Sequence, residues 1–184
     1  AVAEQNLAQY CDVFCEEGVY TAEETEKILL AARDHGMQLK FHADEFVSSG
    51  GAELAAKLGA LSADHLMAIS DAGISALAGS DTVATLLPGT TFFLGSNTWA
   101  PARKLLDAGV TVALATDFNP GSNMSLSMPF VMKLAVIYLH LTPLEALQAA
   151  TLGAAKSMGI EKTTGSISPG YRADAVLWQS KNYK

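Results

Sequence analysis

Leu39-Lys40-Phe41-His42-Ala43-Asp44-Glu45-Phe46 is a short apolar run that stops in one histidine and two carboxylates. A strand has reason to end in ionisable groups when its tip faces something polar, which makes His42 and Glu45 the first candidate site residues. Just upstream, Thr21-Ala22-Glu23-Glu24 is a capping box that opens a helix. That helix carries Ile28, Leu29 and Ala32 on one face and stops at Gly36. Before it, Cys11-Asp12-Val13-Phe14-Cys15 reads as a strand, so the quoted stretch closes a β–α–β unit.

The same alternation continues downstream. A helix from Ala52 to Leu58 ends at Gly59, and a strand from Ala60 to Leu66 carries His65. Ser70 caps a helix that runs to Gly79, and Thr82 to Leu87 forms a strand closed by Pro88-Gly89. A helix from Pro101 to Ala108 stops at Gly109. The continuous apolar run Val110 to Ala115 then ends in Thr116-Asp117 and has both faces buried, as in a parallel sheet. Two helices follow, one from Ser127 to His140 and one opened by the capping box Thr142-Pro143-Leu144-Glu145 and ended at Gly159. After Gly165 the pattern changes to turns and a strand over Ala173 to Trp178, which places the tail in a different layer.

Strands alternating with glycine-terminated helices predict a parallel α/β protein with right-handed crossovers. No G-x-G-x-x-G or P-loop follows any strand, which counts against a nucleotide-binding doubly wound sheet. Five units cannot close an eight-stranded barrel, so a (β/α)8 reading makes this chain part of one.

The bulk properties narrow the partners. At 184 residues, 49% apolar and 17% charged, the chain has the composition of a globular protein. A net charge of −7 offers no cationic surface for nucleic acid or an anionic membrane. The apolar stretch Pro129 to Leu141 is interrupted by Lys133 and is shorter than the ~20 residues of a bilayer span. No charged-then-apolar leader precedes Ala1, which sets the expectation of a cytoplasmic protein, and the missing initial Met that of a processed or partial chain. Cys11 and Cys15, four apart in a strand, sit ~13 Å from each other, beyond the ~7 Å reach of a disulfide. They are expected as reduced thiols.

Three strand ends carry reactive groups: His42 with Glu45, His65, and Asp117 with Asn119. In parallel α/β proteins all carboxyl ends share one side, so these residues converge on one pocket. Asp44, Asp64, His35 and His140 have simpler roles in loops, core or helix ends, and Asp117 alone could begin an Asx turn. Imidazole nitrogen with carboxylate oxygen suits zinc or iron, although a catalytic site takes three or more protein ligands. Serine nucleophile chemistry fits poorly because no G-x-S-x-G elbow is present.

Four blocks together resemble one family: Lys40 to Phe46, Ser62-Ala63-Asp64-His65-Leu66, Leu87-Pro88-Gly89-Thr90, and Ala115 to Ser122. They look like the imidazolonepropionase family of the amidohydrolase superfamily. Gly165-Ser166-Ile167 through Pro169-Gly170 and Ala173-Asp174 is similar to the superfamily's return from barrel to β-sandwich. The resemblance implies an α/β fold made of about strands 4–8 of a metal-dependent (β/α)8 TIM barrel over residues 1–163. Residues 164–184 would be the return strand of a small β-sandwich domain.

It further implies hydrolysis of the cyclic amide of 4-imidazolone-5-propanoate to N-formimino-L-glutamate in histidine degradation. By the same resemblance His42 and Asp117 ligate Zn2+ or Fe2+/Fe3+, and His65, Glu45 and Asp117 are catalytic. Glu45, Asn119, Gly121 and Ser122 would hold the substrate.

The family's His-x-His pair has no counterpart, since the histidines are His35, His42, His65 and His140. A half barrel is then expected to self-associate, as a homo-oligomer, or to pair with a missing N-terminal half. Two other functions fit the same residues: another amidohydrolase, such as a ring deaminase or cyclic amidase, and a noncatalytic structural or binding fragment.

Overall fold

The computed structural model describes residues 1–177, Gln179 and Asn182. Five strands form one sheet in the order β1-β2-β3-β4-β5, each pairing in parallel with its sequence neighbour. They are β1 (Tyr10–Cys15), β2 (Gln38–Ala43), β3 (Ser62–His65), β4 (Val83–Leu86) and β5 (Val112–Leu114). The connecting helices are α1 (Ala22–Asp34), α2 (Gly51–Leu58), α3 (Asp71–Ala78), α4 (Pro88–Phe93) and α5 (Ala102–Asp107). Then come α6 (Met128–Tyr138), α7 (Pro143–Gln148), a π-helical turn (Ala149–Gly153) and α8 (Ala154–Ser157).

The local signals act as expected. Thr21 and Thr142 each accept the backbone N–H of a glutamate three residues on, and that glutamate accepts theirs in return. Both exchanges satisfy N–H groups that a helix leaves unpaired. Glu145 also accepts two hydrogen bonds from Arg103, tying α7 to α5.

Register explains which strand faces are buried. On β1 and β2, Val13, Cys15, Leu39, Phe41 and Ala43 pack into the core with Leu29 and Ala32 of α1 and Leu54 and Ala55 of α2. The alternate residues Phe14, Lys40 and His42 are only partly covered. They face the other side of the sheet, where a closed barrel has its interior. One lateral row across the sheet reads Phe14, His42, Asp64, Thr85 and Ala113. Among the described residues β1 pairs only with β2 and β5 only with β4.

Three expectations need correction. Pro88-Gly89 does not merely close β4. Proline at the first helical position opens α4, and a helix there lets Gly89 lie against Asn123. The helix opened by Thr142 is not a uniform α-helix but passes through the π-helical turn. In the tail, Ala173 to Leu177 forms no strand. The last residue of that expected strand, Trp178, lies outside the described residues. Ile167, Val176 and Leu177 are exposed, so no described layer covers the tail. Cys11 and Cys15 are both free thiols, as their spacing demands. No helix among the described residues is long and apolar enough to cross a membrane.

Candidate metal and catalytic site

The carboxyl ends of the strands bring together His42, His65 and Asp117, each offering a ligand atom within 4.8 Å of the others. Glu45 joins them, with Oε1 3.5 Å from His65 Nδ1. His65 Nε2 lies 4.0 Å from Asp117 Oδ2 and, although buried, has no hydrogen-bond partner among the described residues. His42 with Asp117 is a nitrogen and oxygen pair that fits a bound cation, and the unsatisfied buried nitrogen of His65 beside them marks a polar site able to take a further group.

Backbone strain assembles this cluster. By alternation His65 pairs with Ala43 and should face the helices. His65 and Leu66 instead take φ 77° and 62°, and the imidazole comes to rest 5.1 Å from the His42 ring. Asp117 (φ 50°) and Asp44 (φ 48°) are strained in the same sense. Such conformations cost about 1–3 kcal/mol each and persist where surrounding contacts enforce them.

Those contacts are visible. Asp44 is fully buried, and its carboxylate accepts the backbone N–H of Ser49, Gly51 and Ala52, which ties the loop after β2 to the start of α2. It is a loop organiser, as its simpler reading held. Asp64 is buried too; burial pushes its carboxyl above the usual range, and Lys40 opposes that shift. Thr90 of α4 donates to Asp117 Oδ2. Asn123, 1% exposed, donates to Thr116 O and accepts from Ser125 N.

Asp12 was not legible as a site residue. Its Oδ2 lies 2.7 Å from His42 Nδ1, one strand over, and this contact is the largest cause holding the His42 pKa above its usual value. Nδ1 is turned to Asp12 at ion-pair distance, though outside hydrogen-bond geometry, which leaves Nε2 as the nitrogen to bind a ligand. Asp12→Asn is expected to weaken metal binding by about 10- to 100-fold while the fold survives. A competitive chelator titration on the purified variant measures this, and unchanged affinity would show that Asp12 does not orient His42.

Loop 117–123 carries the remaining candidates. Asn119 Oδ1 accepts from Gly121 N and Ser122 N, and its Nδ2 donates to Asp117 O and Ser122 Oγ. The Asx turn expected at Asp117 is thus made by Asn119. Gly121 and Ser122 present adjacent N–H groups that Asn119 satisfies. His35 ends α1, and His140 follows the end of α6; neither belongs to the cluster.

Burial, followed by the neighbouring His42, holds the His65 pKa down to about 4. Burial likewise lifts Glu45 to about 7, with Asp117 and Glu16 adding to the rise and His42 opposing it. At neutral pH this pair is a neutral imidazole and a carboxyl poised to gain or lose a proton.

Parallel strands in sequential order, with a histidine and carboxylate cluster at their carboxyl ends, define the open part of an α/β barrel whose chemistry sits at that end. The chain belongs to the amidohydrolase family, whose model matches residues 14–184. It is 54% identical over 183 residues to the imidazolonepropionase of Porphyromonas gingivalis, covering 100% of this chain and 43% of that protein. The corresponding enzymes of Shouchella clausii and Clostridium tetani are 52% and 51% identical over 183 residues. They are covered to 41% and 43%, so the chain spans less than half the length of these curated relatives.

Among solved structures, a zinc-bound adenosine deaminase from Xanthomonas campestris aligns with TM-score 0.70 at 26% identity. That alignment covers 85% of this chain and 40% of the deaminase. An atrazine chlorohydrolase from Arthrobacter aurescens aligns with TM-score 0.69 at 22% identity, over 88% of this chain and 40% of that one. The second likeness concerns the fold alone.

Proposed function

We propose that this chain is part of an imidazolonepropionase, about strands 4–8 of its barrel. The enzyme would hydrolyse the cyclic amide of 4-imidazolone-5-propanoate to N-formimino-L-glutamate. The observation that carries the substrate class is identity above one half, over the whole chain, to proteins of that name. The convergence of Glu45, His65 and Asp117 supports it independently, because ring opening needs groups that move protons beside a polarised carbonyl.

His42 and Asp117 would hold zinc or iron, with further ligands from a segment outside this chain, because two are too few for a catalytic site. When bound, the metal would polarise the ring carbonyl and lower the pKa of a water towards ~7. Asp117 would accept the proton released as water attacks. A protonated Glu45 facing Nδ1 of His65 leaves the hydrogen on Nε2, the unpartnered atom, which can then stabilise the oxyanion. Glu45, with its pKa near neutrality, returns a proton to the departing ring nitrogen. The N–H groups of Gly121 and Ser122 would exchange Asn119 for the propionate carboxylate, and the Asn119 amide would turn to hold the same group. Residues 164–184 would start the β-sandwich layer, which accounts for the exposed Ile167 and Leu177. The outer edges of β1 and β5, which pair with no further strand among the described residues, favour pairing with the rest of the barrel or self-association.

Metal analysis and turnover of imidazolone propanoate by a protein joining this chain to the remaining strands tests this reading. Turnover of an aminopurine or aminopyrimidine instead would favour a ring deaminase, the reading to which the 26% identical deaminase lends some support.

The opposed pKa shifts make a separate prediction for the metal-free protein. His65 binds its proton less tightly when folded, so its contribution is complete above pH 6.5 and is lost as pH falls through 4. Glu45 runs the other way: its contribution is complete below pH 4.5 and is lost as pH rises through about 7. Glu45→Gln is therefore expected to be more stable than wild type by about 1–3 kcal/mol above pH 7 and no more stable below pH 4.5. Urea unfolding at pH 4 and pH 8 checks the crossover.

A further inference from the structure

Glu16, the residue after β1, is 3% exposed, and among the described residues no lysine, arginine or histidine pairs with it. Its carboxylate is instead the acceptor of a converging set of backbone N–H groups. Oε2 accepts from Glu45 N at 2.8 Å and Phe46 N at 3.1 Å. Oε1 accepts from Val47 N at 3.1 Å and from its own neighbour Glu17 N at 3.3 Å. Three successive peptide groups of the loop after β2 thus close around one carboxylate from the adjacent strand.

That loop has no regular structure between Ala43 and Gly51 and begins with the strained Asp44. Two buried carboxylates hold it from opposite ends: Asp44 takes the N–H groups of Ser49, Gly51 and Ala52, and Glu16 those of residues 45–47. The first residue in the grip of Glu16 is Glu45, whose own carboxylate meets His65.

We infer that Glu16 is a positioning residue for Glu45, fixing the backbone of residues 45–47 so that the Glu45 carboxyl stays against His65. The inference rests on the proposed role of Glu45. Only a carboxylate serves, since it has acceptor lone pairs on both oxygens and no donor. A glutamine of the same shape would set an amide N–H2 against N–H donors and leave buried groups unpaired. Charge-assisted hydrogen bonds of this kind are about twice as strong as neutral ones.

The test uses Glu16→Gln, Glu45→Gln and the double variant in a protein carrying this chain with the rest of its barrel. Amide exchange should quicken at least about tenfold at residues 45–47 in Glu16→Gln, with the core strands still protected. kcat/KM should fall about 10- to 100-fold in Glu16→Gln, whereas the double variant should be no slower than Glu45→Gln, because residues acting through one group are not additive. Unchanged exchange at 45–47, exchange raised throughout the chain, or additive losses in the double variant would each overturn the inference. If wild type does not open the imidazolone ring, the proposed function fails while the exchange measurement still decides whether Glu16 holds the loop. Should Glu16→Gln not fold, Glu16→Asp, too short to reach all the same amides, is read by the same two measurements.

Discussion

Replacing His65 with Ala, in a protein that completes the barrel, is expected to lower kcat for imidazolone hydrolysis by about 10²- to 10⁴-fold with bound metal unchanged. His65 is almost fully buried, its Nδ1 faces Glu45, and its Nε2 has no hydrogen-bond partner among the described residues. Held neutral by burial, it can give a hydrogen bond to developing negative charge without carrying charge of its own. The variant removes that donor and leaves His42 and Asp117 in place. Metal content and kcat are measured on the same preparation. Loss of metal in proportion to loss of rate would move His65 into the ligand set, which the 4.8 Å cluster with His42 and Asp117 makes geometrically possible. His65→Asn is the companion variant, because asparagine tolerates the φ of 77° better than most residues and can still donate.

The second large effect lies away from the site. Gly153, in the π-helical turn, packs so closely on β5 that a Cβ would come within 2.3 Å of the Val112 carbonyl oxygen and 3.3 Å of Ala113 Cα. Both obstacles are backbone, so no side-chain rotation relieves them. Gly153→Ala is expected to destabilise the protein by about 3 kcal/mol, a fall of about 6–12 °C in Tm for a chain this long. Gly79→Ala is the control: the backbone there has a negative φ, and the added methyl meets nothing closer than 3.6 Å. Thermal unfolding of the two variants separates them, and equal Tm values would contradict the close packing. β5 also leads directly to Asp117, so displacing Val112 should weaken metal binding in the same variant.

Together the two variants separate a residue proposed to act on the substrate from one that holds the strand leading to the site in place. Gly89 belongs with Gly153, because its Cβ would meet the buried Asn123 amide at 2.4 Å. That amide in turn holds Thr116, next to Asp117. The site is therefore stiffened from behind by close backbone approaches, which is the support that a precise catalytic geometry needs.

Much of this was legible in order along the chain. Capping boxes at Thr21 and Thr142, and glycines 36, 59 and 109 with positive φ, end or begin helices through interactions within a few residues. Alternating units led to a parallel sheet, and a parallel sheet places His42, His65 and Asp117 at one end whatever the details of packing. The short helix α4 escaped notice because Pro88-Gly89 is equally suited to a turn, and its fit against Asn123 decides between them.

What the sequence alone determined is the class of fold and the meeting of His42, His65 and Asp117 at one end of the sheet, because both follow from local periodicity and from the direction shared by parallel strands. What only the tertiary structure decided is how those residues are aimed. Asp12 meets His42 through lateral pairing of β1 with β2, Glu16 closes on amides 29 to 31 residues away, and Thr90 reaches Asp117 across a strand connection. The left-handed backbone at His65 reverses the face that alternation would assign it. Each of these depends on register and enforced strain, which are set by the packing of distant segments and leave no periodic trace in the chain.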